Sequence, residues 1–303
     1  MKMSKTNMNS IIESIEKTKS IRELLYAAVT QLTLHEIPNP RIDAEILLAH
    51  VLNVNRMDLY INLDETVGQK AKSLFIDLLN QRQQRIPAAY LIGYQEFMGL
   101  RIQVNQQVLI PRPETEAMVE YALNVIKNNH VNSAEVNLLD FGTGSGAIAC
   151  ACAAHLEHAQ ITACDRSKPA LQTAEYNSIS LKLAHKISFI QTDTISRFIN
   201  EGSMFDMIIS NPPYIKSDEL DHLQAEVRCE PRIALDGGVD GMDLLKLLID
   251  SCGDILKVNG YLIMEIDPDQ AAFVVARLEQ QNASKIVVRK DYAGFDRIVS
   301  AQY

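Results

Sequence analysis

The sequence predicts an α/β fold: a mostly parallel sheet with helices on both faces, preceded by a small all-helical domain and a β-hairpin linker. Three observations predict it. Apolar residues recur at helical spacing over residues 10–90, with no strand-like alternation before residue 95. Residues 94–110 then switch to short alternating runs. From residue 135 short apolar runs are separated mostly by helical stretches, the pattern of a parallel sheet. The boundaries that follow are 1–93 for the helical domain, 94–112 for the linker and 113–303 for the α/β domain.

In the helical domain Ile21, Leu24, Leu25, Ala28 and Leu32 mark one helix, and Ile42, Leu47, Leu48 and Val51 a second. Leu74, Ile76, Leu78 and Leu79 mark a third. Asn39-Pro40 is a start signal for the second, because proline suits the first helical position. In the linker Phe97, Leu100, Ile102, Val104, Val108 and Leu109 suggest two short strands with a turn near Asn105. Pro111 and Pro113 punctuate the chain before a helix at about 114–128. Strands are expected at 136–140, 160–164, 186–190, 205–210, 260–266, 285–289 and 296–302, and helices near 145–155, 168–181, 241–257 and 268–281. In such sheets ligands bind beyond the carboxyl ends of the strands, so the residues that follow each strand carry the chemistry.

Composition narrows the function. The 303 residues are 47% apolar and 22% charged, enough for a sizeable core and unlike a disordered chain. The 38 acidic and 29 basic side chains leave a formal charge of −9, which argues against sequence-blind nucleic-acid binding; no direct nucleic-acid contact is expected. The apolar run Ala147–Ala154 is far short of the roughly 18 residues of a membrane span, and Met1–Ser10 has no apolar signal segment. A cytoplasmic monomer without membrane attachment is expected. Five cysteines form no CxxC pair and read as reduced, buried thiols; seven histidines lack ligand spacing, so no metal is expected.

After the first strand of the α/β domain the chain reads Phe141-Gly142-Thr143-Gly144-Ser145-Gly146-Ala147. Glycines between a strand and a helix permit a tight turn and let a ligand approach the backbone at a helix N-terminus. Gly142, Gly144 and Ala147 fit the dinucleotide pattern GxGxxG/A, and Gly142, Gly144 and Gly146 fit the GxGxG loop of S-adenosylmethionine enzymes. Asp165, closing the second strand, can accept both hydroxyls of a ribose, which serves either cofactor. At this point dehydrogenase and methyltransferase stay level.

The fourth strand, Phe205–Ser210, runs into Asn211-Pro212-Pro213-Tyr214. An amide or aromatic amine nitrogen is a poor nucleophile because its lone pair is delocalised. Two acceptors on its N–H groups, the Asn211 side-chain oxygen and the Pro212 carbonyl, can orient it toward a sulfonium methyl. Proline donates no N–H, and its fixed φ helps aim the carbonyl. Tyr214 can pack on the planar group. Catalysis is then positioning and electrostatics, with no strong base needed, because the nitrogen becomes acidic once methylated.

NPPY after the fourth strand, with the glycine loop after the first, resembles the amino-methyltransferases. Leu109–Glu116, read as LIPRPETE, resembles a stretch of the HemK/PrmC family, as does Tyr90-Leu91-Ile92-Gly93 followed by Phe97. Val227–Leu235 matches its V-x-x-E-P-x-x-A-L loop, and Asp291-Tyr292-Ala293-Gly294 with Arg297 its C-terminal signature. The resemblance covers nearly the whole chain. It implies a Rossmann-like class I methyltransferase with a seven-stranded sheet. S-adenosyl-L-methionine would be the donor and S-adenosyl-L-homocysteine the product. The implied reaction is methylation of N5 of the glutamine in the GGQ motif of peptide-chain release factors, which are then the protein partner. The implied cofactor contacts are Gly142, Thr143, Gly144, Ser145, Gly146, Asp165, Asp193, Thr194 and Asn211. Asn211, Pro212, Pro213 and Tyr214 would meet the substrate glutamine, with Arg112, Glu114 and Glu116 lining the same cleft, and the helical domain would dock the release factor. Exocyclic-amine methylation of nucleic acid (adenine N6) and glutamine methylation of a ribosomal protein are the alternatives. A cofactor-binding module without catalysis is a further one, though an intact Asn211 and Tyr214 speak against it. Two departures stand out: Asp267 occupies a family glycine position after the fifth strand, and Thr194 stands where some relatives carry an aromatic.

Overall fold

The computed structural model describes residues 18–129, 135–291 and 293–303. Residues 10–17 of the expected helical stretch, and Tyr292 of the C-terminal signature, lie outside the described residues. The chain divides into two compact units, one running to Gly93 and including Ala225–Cys229, the other comprising Tyr94–Gln224 and Glu230–Tyr303.

In the first unit the described helices are α1 (Ile21–Leu34), α2 (Pro40–Leu52), α3 (Arg56–Ile61), α4 (Gln69–Gln83) and α5 (Ala88–Ile92). Ser20 caps α1 by accepting from the Glu23 N–H, and Pro40 occupies the first turn of α2 as the sequence requires. Asn55 and Asp58 form a reciprocal capping box that starts α3. The two short helices, α3 and α5, escaped the sequence reading because five or six residues are too few to show a period. Leu24, Leu32, Leu47, Leu48, Phe75 and Leu79 are fully buried in the core of this unit. At its edge the buried Arg82 bonds Asp43 at 2.7 Å and Glu226 at 2.9 Å, and Arg85 reaches Glu226 at 3.2 Å.

The second unit opens with a hairpin of β1 (Tyr94–Phe97) and β2 (Leu100–Gln103). Its turn is at Met98-Gly99, not near Asn105. Both turn residues have positive φ, 51° and 74°, which matches the twist of a two-residue hairpin. The expected second strand through Val108 and Leu109 is instead irregular, closed by a turn in which Val108 N–H donates to the Asn105 carbonyl. Helix α6 (Pro113–Asn129) follows.

The sheet has seven strands: β3 (Val136–Phe141), β4 (Ala159–Asp165), β5 (Ile187–Gln191), β6 (Phe205–Ser210), β7 (Leu256–Glu265), β8 (Ser284–Lys290) and β9 (Asp296–Gln302). Their order is β5-β4-β3-β6-β7-β9-β8, with every pair from β5 to β7 parallel and β9 antiparallel to both neighbours. The crossover helices are α7 (Ala147–His155), α8 (Lys168–Ser180), α9 (Ser196–Glu201), α10 (Asp243–Ser251) and α11 (Ala271–Gln280). The expected helix over 241–257 stops at Ser251. A 3-10 turn over Cys252–Asp254 follows, and Leu256 already pairs with Phe205 as the start of β7. Leu248, Ile249, Cys252 and Ile255 continue a helical period, but Gly253 breaks it. The apolar face of α10 packs with β6, β7 and α11 around Leu245, Ile208, Leu262 and Val274. Among the described residues no helix is long and apolar enough to cross a membrane.

Removing one partner of a buried ion pair strands the others. Arg82→Met is therefore expected to cost about 3–5 kcal/mol of stability, measured by urea unfolding, because Asp43 loses its cation and Glu226 keeps only Arg85.

Candidate active site

The site forms where β3 and β6 lie side by side, with Leu138 opposite Met207 and Asp140 opposite Ile209. Both strands end at the same level, and the Ser210 hydroxyl donates to the Phe141 carbonyl at 2.6 Å. The glycine loop and the NPPY turn, about seventy residues apart in sequence, thereby become neighbours. A cavity of about 280 Å³ opens there. Gly142, Gly144, Asp165, Asp193, Asn211 and Pro213 are among its lining residues.

The glycine loop divides its residues between two sides. At Gly142 and Gly144, with φ of 78° and 54°, an added Cβ would meet no atom within 4 Å, so the bare backbone faces open space. Thr143 and Ser145 turn inward and are buried. The Thr143 hydroxyl donates to Asp140 at 2.6 Å, and the Ser145 carbonyl accepts from the Asn177 amide at 2.9 Å. Gly146 begins α7 at φ 77°, and a Cβ there would sit 2.9 Å from the Cβ of Ala174 on α8. Asp140 is fully buried at the root of the loop, and burial pushes its carboxyl up to about 7 against the Thr143 and Ala149 hydrogen bonds.

Asp165 ends β4 on the cavity wall. One carboxylate oxygen accepts from Gly144 N–H at 2.9 Å and the other from Ser167 N–H at 2.8 Å. Each oxygen keeps a lone pair, so the group is held in one orientation as a double acceptor. Burial raises its pKa, and the Ser167 and Gly144 hydrogen bonds oppose that. After β5, Asp193 lines the cavity together with Thr192. Thr194 is not among the lining residues; its hydroxyl pairs with Ser196.

Asn211 is fixed from behind. Its Nδ2 donates to Thr115 Oγ1 at 3.0 Å, and Thr115 donates to Glu265 Oε2 at 2.7 Å. Tyr214 completes the chain, its hydroxyl donating to Glu265 Oε1 at 3.4 Å. Glu265 is the last residue of β7 and is 1% exposed. Burial pushes its carboxyl up to about 7; the Thr115 hydrogen bond and Arg297 pull it down, and Glu114 pushes it further up. Burial also raises the Tyr214 hydroxyl well above its usual range. Sequence reasoning passed over Thr115 and Glu265. A signal for Thr115 existed: it falls at helical spacing with the buried Met118, Val119 and Ala122.

Three residues expected to line the cleft have other partners. Arg112 pairs with the buried Glu230, whose other oxygen accepts from Ile110 N–H at 3.0 Å. The LIPRPETE and EP segments are therefore joined directly. Glu116 accepts from Met98 N–H at 2.6 Å and so anchors the hairpin turn. Glu114 is half-buried and acts on Glu265 through its charge. Pro212 is buried and Tyr214 half-buried, and neither is among the cavity-lining residues. Asp267 adopts φ −74°, open to any residue, and caps a 3-10 turn in a box with Gln270. Gln270 Nε2 donates to the carbonyls of Tyr214 and Gly241, at 3.1 and 2.9 Å, and so clasps the end of the NPPY turn. The cavity is also lined from beyond that turn by Ile233, within the V-x-x-E-P-x-x-A-L loop, and by Asp236, Gly237, Asp243 and Leu244, which carry no recognisable motif of their own.

A sheet of this order, with backbone exposed at a glycine loop, a fixed acceptor at the end of β4 and an oriented asparagine at the end of β6, defines an S-adenosylmethionine-dependent methyltransferase. The fold is shared with the catalytic domain of hMettl16 bound to a MAT2A 3'UTR hairpin, at TM-score 0.55 and 15% identity over 71% of this chain and 80% of that one. A human methyltransferase 10 domain containing protein shares it at TM-score 0.50 and 17% identity, over 68% and 88%. Residues 23–93 match the PrmC N-terminal domain and residues 119–229 the methyltransferase small domain. The release factor glutamine methyltransferase of Rhodopirellula baltica is 40% identical over 87% of this chain and 90% of its own length. That of Moorella thermoacetica is 37% identical over 92% and 96%. The chain belongs to the release factor glutamine methyltransferase family.

The loop geometry makes the glycines unequal. Gly144→Ala is expected to cost about 1–2 kcal/mol for the left-handed backbone. Gly146→Ala should cost about 1–3 kcal/mol more, because its methyl must also displace α8. Thermal unfolding of the two variants checks the difference.

Proposed function

We propose that this enzyme transfers a methyl group from S-adenosylmethionine to the side-chain amide N5 of the glutamine in the GGQ motif of peptide-chain release factors. The observation that carries this reading is the direction of Asn211. Its amide nitrogen is used inside the protein by Thr115, so its oxygen is the atom turned the other way, at a residue that lines the cavity. A primary amide offers two N–H groups in a plane, which suits two acceptors. The names of the curated relatives, release factor glutamine methyltransferases, support the same substrate.

The residues fit the donor. Gly142 and Gly144 leave room against bare backbone, and Asp165 presents two oriented oxygens to a ribose. Thr192 and Asp193 border the same cavity, beside the place for an adenine. When bound, S-adenosylmethionine supplies a methyl group on a positively charged sulfur that keeps the bonding pair when the methyl leaves. Asn211 Oδ1 and the Pro212 carbonyl accept the two amide N–H groups and turn the nitrogen lone pair toward that methyl. Tyr214 packs on the amide plane. One N–H proton leaves to water once the nitrogen carries its new substituent. The rate gain is the gain of positioning a weak nucleophile.

The helical unit supplies the docking surface for the release factor in this reading. Tyr26, Met57 and Ile61 expose more than seventy percent of their surface there, 78%, 73% and 77%.

The direct assay offers labelled S-adenosylmethionine with an unmodified release factor, its GGQ glutamine-to-alanine variant and duplex DNA. Label is expected on the intact factor alone; label on DNA would move the acceptor to an exocyclic amine. Asn211→Ala is expected to abolish turnover while cofactor affinity changes by less than about tenfold, or 1.4 kcal/mol. Asp165→Ala should chiefly weaken cofactor binding, as read by calorimetry. Met57→Glu with Ile61→Glu should raise the KM for release factor by about tenfold, or 1.4 kcal/mol, and leave cofactor affinity unchanged, since neither residue lines the cavity.

A further inference from the structure

We propose that Glu265 and Thr115 are positioning residues that set the direction of the Asn211 amide, so that oxygen rather than nitrogen meets the substrate N–H. The inference rests on reading Asn211 as an acceptor for the substrate amide, and it adds what decides that polarity. An asparagine side chain is nearly symmetric in shape, and either end can point into a cavity. Thr115 resolves the choice only if its own hydroxyl proton is committed elsewhere. It is committed to Glu265 at 2.7 Å, which leaves a Thr115 lone pair for Asn211 Nδ2 at 3.0 Å. A chain of donors therefore runs one way, Asn211 to Thr115 to the carboxylate, and it starts from a carboxylate that can only accept.

Protonation of Glu265 reverses the argument. A neutral carboxyl can donate to Thr115, whose hydroxyl is then free to donate to Asn211. The side-chain oxygen of Asn211 would turn inward and its NH₂ would face the substrate N–H, donor against donor. The groups facing Glu265 are Glu114 on α6, Arg297 on β9 and the Tyr214 hydroxyl; Arg112 and Asp267 act on Tyr214. Burial and Glu114 hold the carboxyl up, to about 7, against Thr115 and Arg297. Tyr214 keeps its proton throughout this range and remains a donor. The ionised carboxylate is the productive form, so turnover should rise as pH increases through about 7.

The test uses the full-length enzyme as wild type, Thr115→Val, Thr115→Ser and Glu265→Gln, with S-adenosylhomocysteine calorimetry as the check on fold. Thr115→Val and Glu265→Gln are expected to bind that product within about threefold of wild type and to lose about 100-fold in kcat with little change in KM, the loss typical of one misdirected polar group. Thr115→Ser should restore turnover, because it restores the hydroxyl. Glu265→Gln should also lose the rising limb of the pH profile. A second readout needs no substrate: the Asn211 side-chain amide resonances, in protein labelled at asparagine, should shift with a midpoint near 7 in wild type and not in Glu265→Gln. Thr115→Val at wild-type kcat, or an Asn211 amide that titrates identically in both proteins, overturns the inference. If wild type fails to label release factor, the substrate reading falls, and the amide titration still decides the polarity.

Discussion

The hydrogen bond from the Ser210 hydroxyl to the Phe141 carbonyl closes the gap between the ends of β3 and β6, and the site depends on it. Parallel pairing fixes where two strands end relative to each other. Here it brings a loop that exposes backbone and a turn that exposes an amide oxygen to one level. β3 has β4 on one side and β6 on the other, so crossovers leave it in opposite directions and open a crevice at its carboxyl end. Asp165 on β4 and Asn211 after β6 reach that crevice from its two sides. In the proposed reaction the order of the strands thus separates two tasks, holding the donor on one flank and orienting the acceptor on the other.

Much of this could be read in advance, because the glycine loop and NPPY are local signals. Each is a run of residues whose conformational demands are visible without knowing what lies across from it. The chain Asn211–Thr115–Glu265 could not be read in the same way. Its members lie 96 and 150 residues apart, and nothing local to any of them names the others. Arg112, Glu114 and Glu116 drew attention as charges, whereas the uncharged Thr115 between them is the residue that touches Asn211. The first turn of α6 explains it: the helix turns Thr115 to the buried face with Met118 and Val119, and leaves its neighbours nearer the surface. The hairpin turn was misplaced for a related reason. Met98 is an unusual residue for positive φ, and Glu116, distant in sequence, holds its N–H.

Helix α7 shows how a glycine loop is kept in place. Up to its last residue, His155, it is built of alanine, cysteine and isoleucine alone, and seven of its nine residues are buried. Small side chains let the neighbouring elements come close, and Gly146 extends that closeness to α8. Cys150 and Cys152 belong to this packing, while Cys164 on β4 is buried in the core with Phe141, Phe198 and Ile208. Burial raises all three thiols, Cys150 to about 12, so they stay protonated and unreactive.

Residues 225–229 have a further meaning. They lie in the segment that follows the NPPY turn, yet they belong to the helical unit, where Glu226 answers Arg82 and Arg85. The backbone accordingly passes between the units after Gly93, after Gln224 and after Cys229, three times rather than once. The helical unit is therefore built from two separate stretches of the chain. No single cut in the chain yields both parts whole: a fragment ending at Gly93 keeps Asp43 for Arg82 but lacks Glu226, and one beginning at Tyr94 carries Glu226 without its cations. Recombination between relatives that exchanges only the N-terminal part would separate Glu226 from the Arg82 and Arg85 of its own parent.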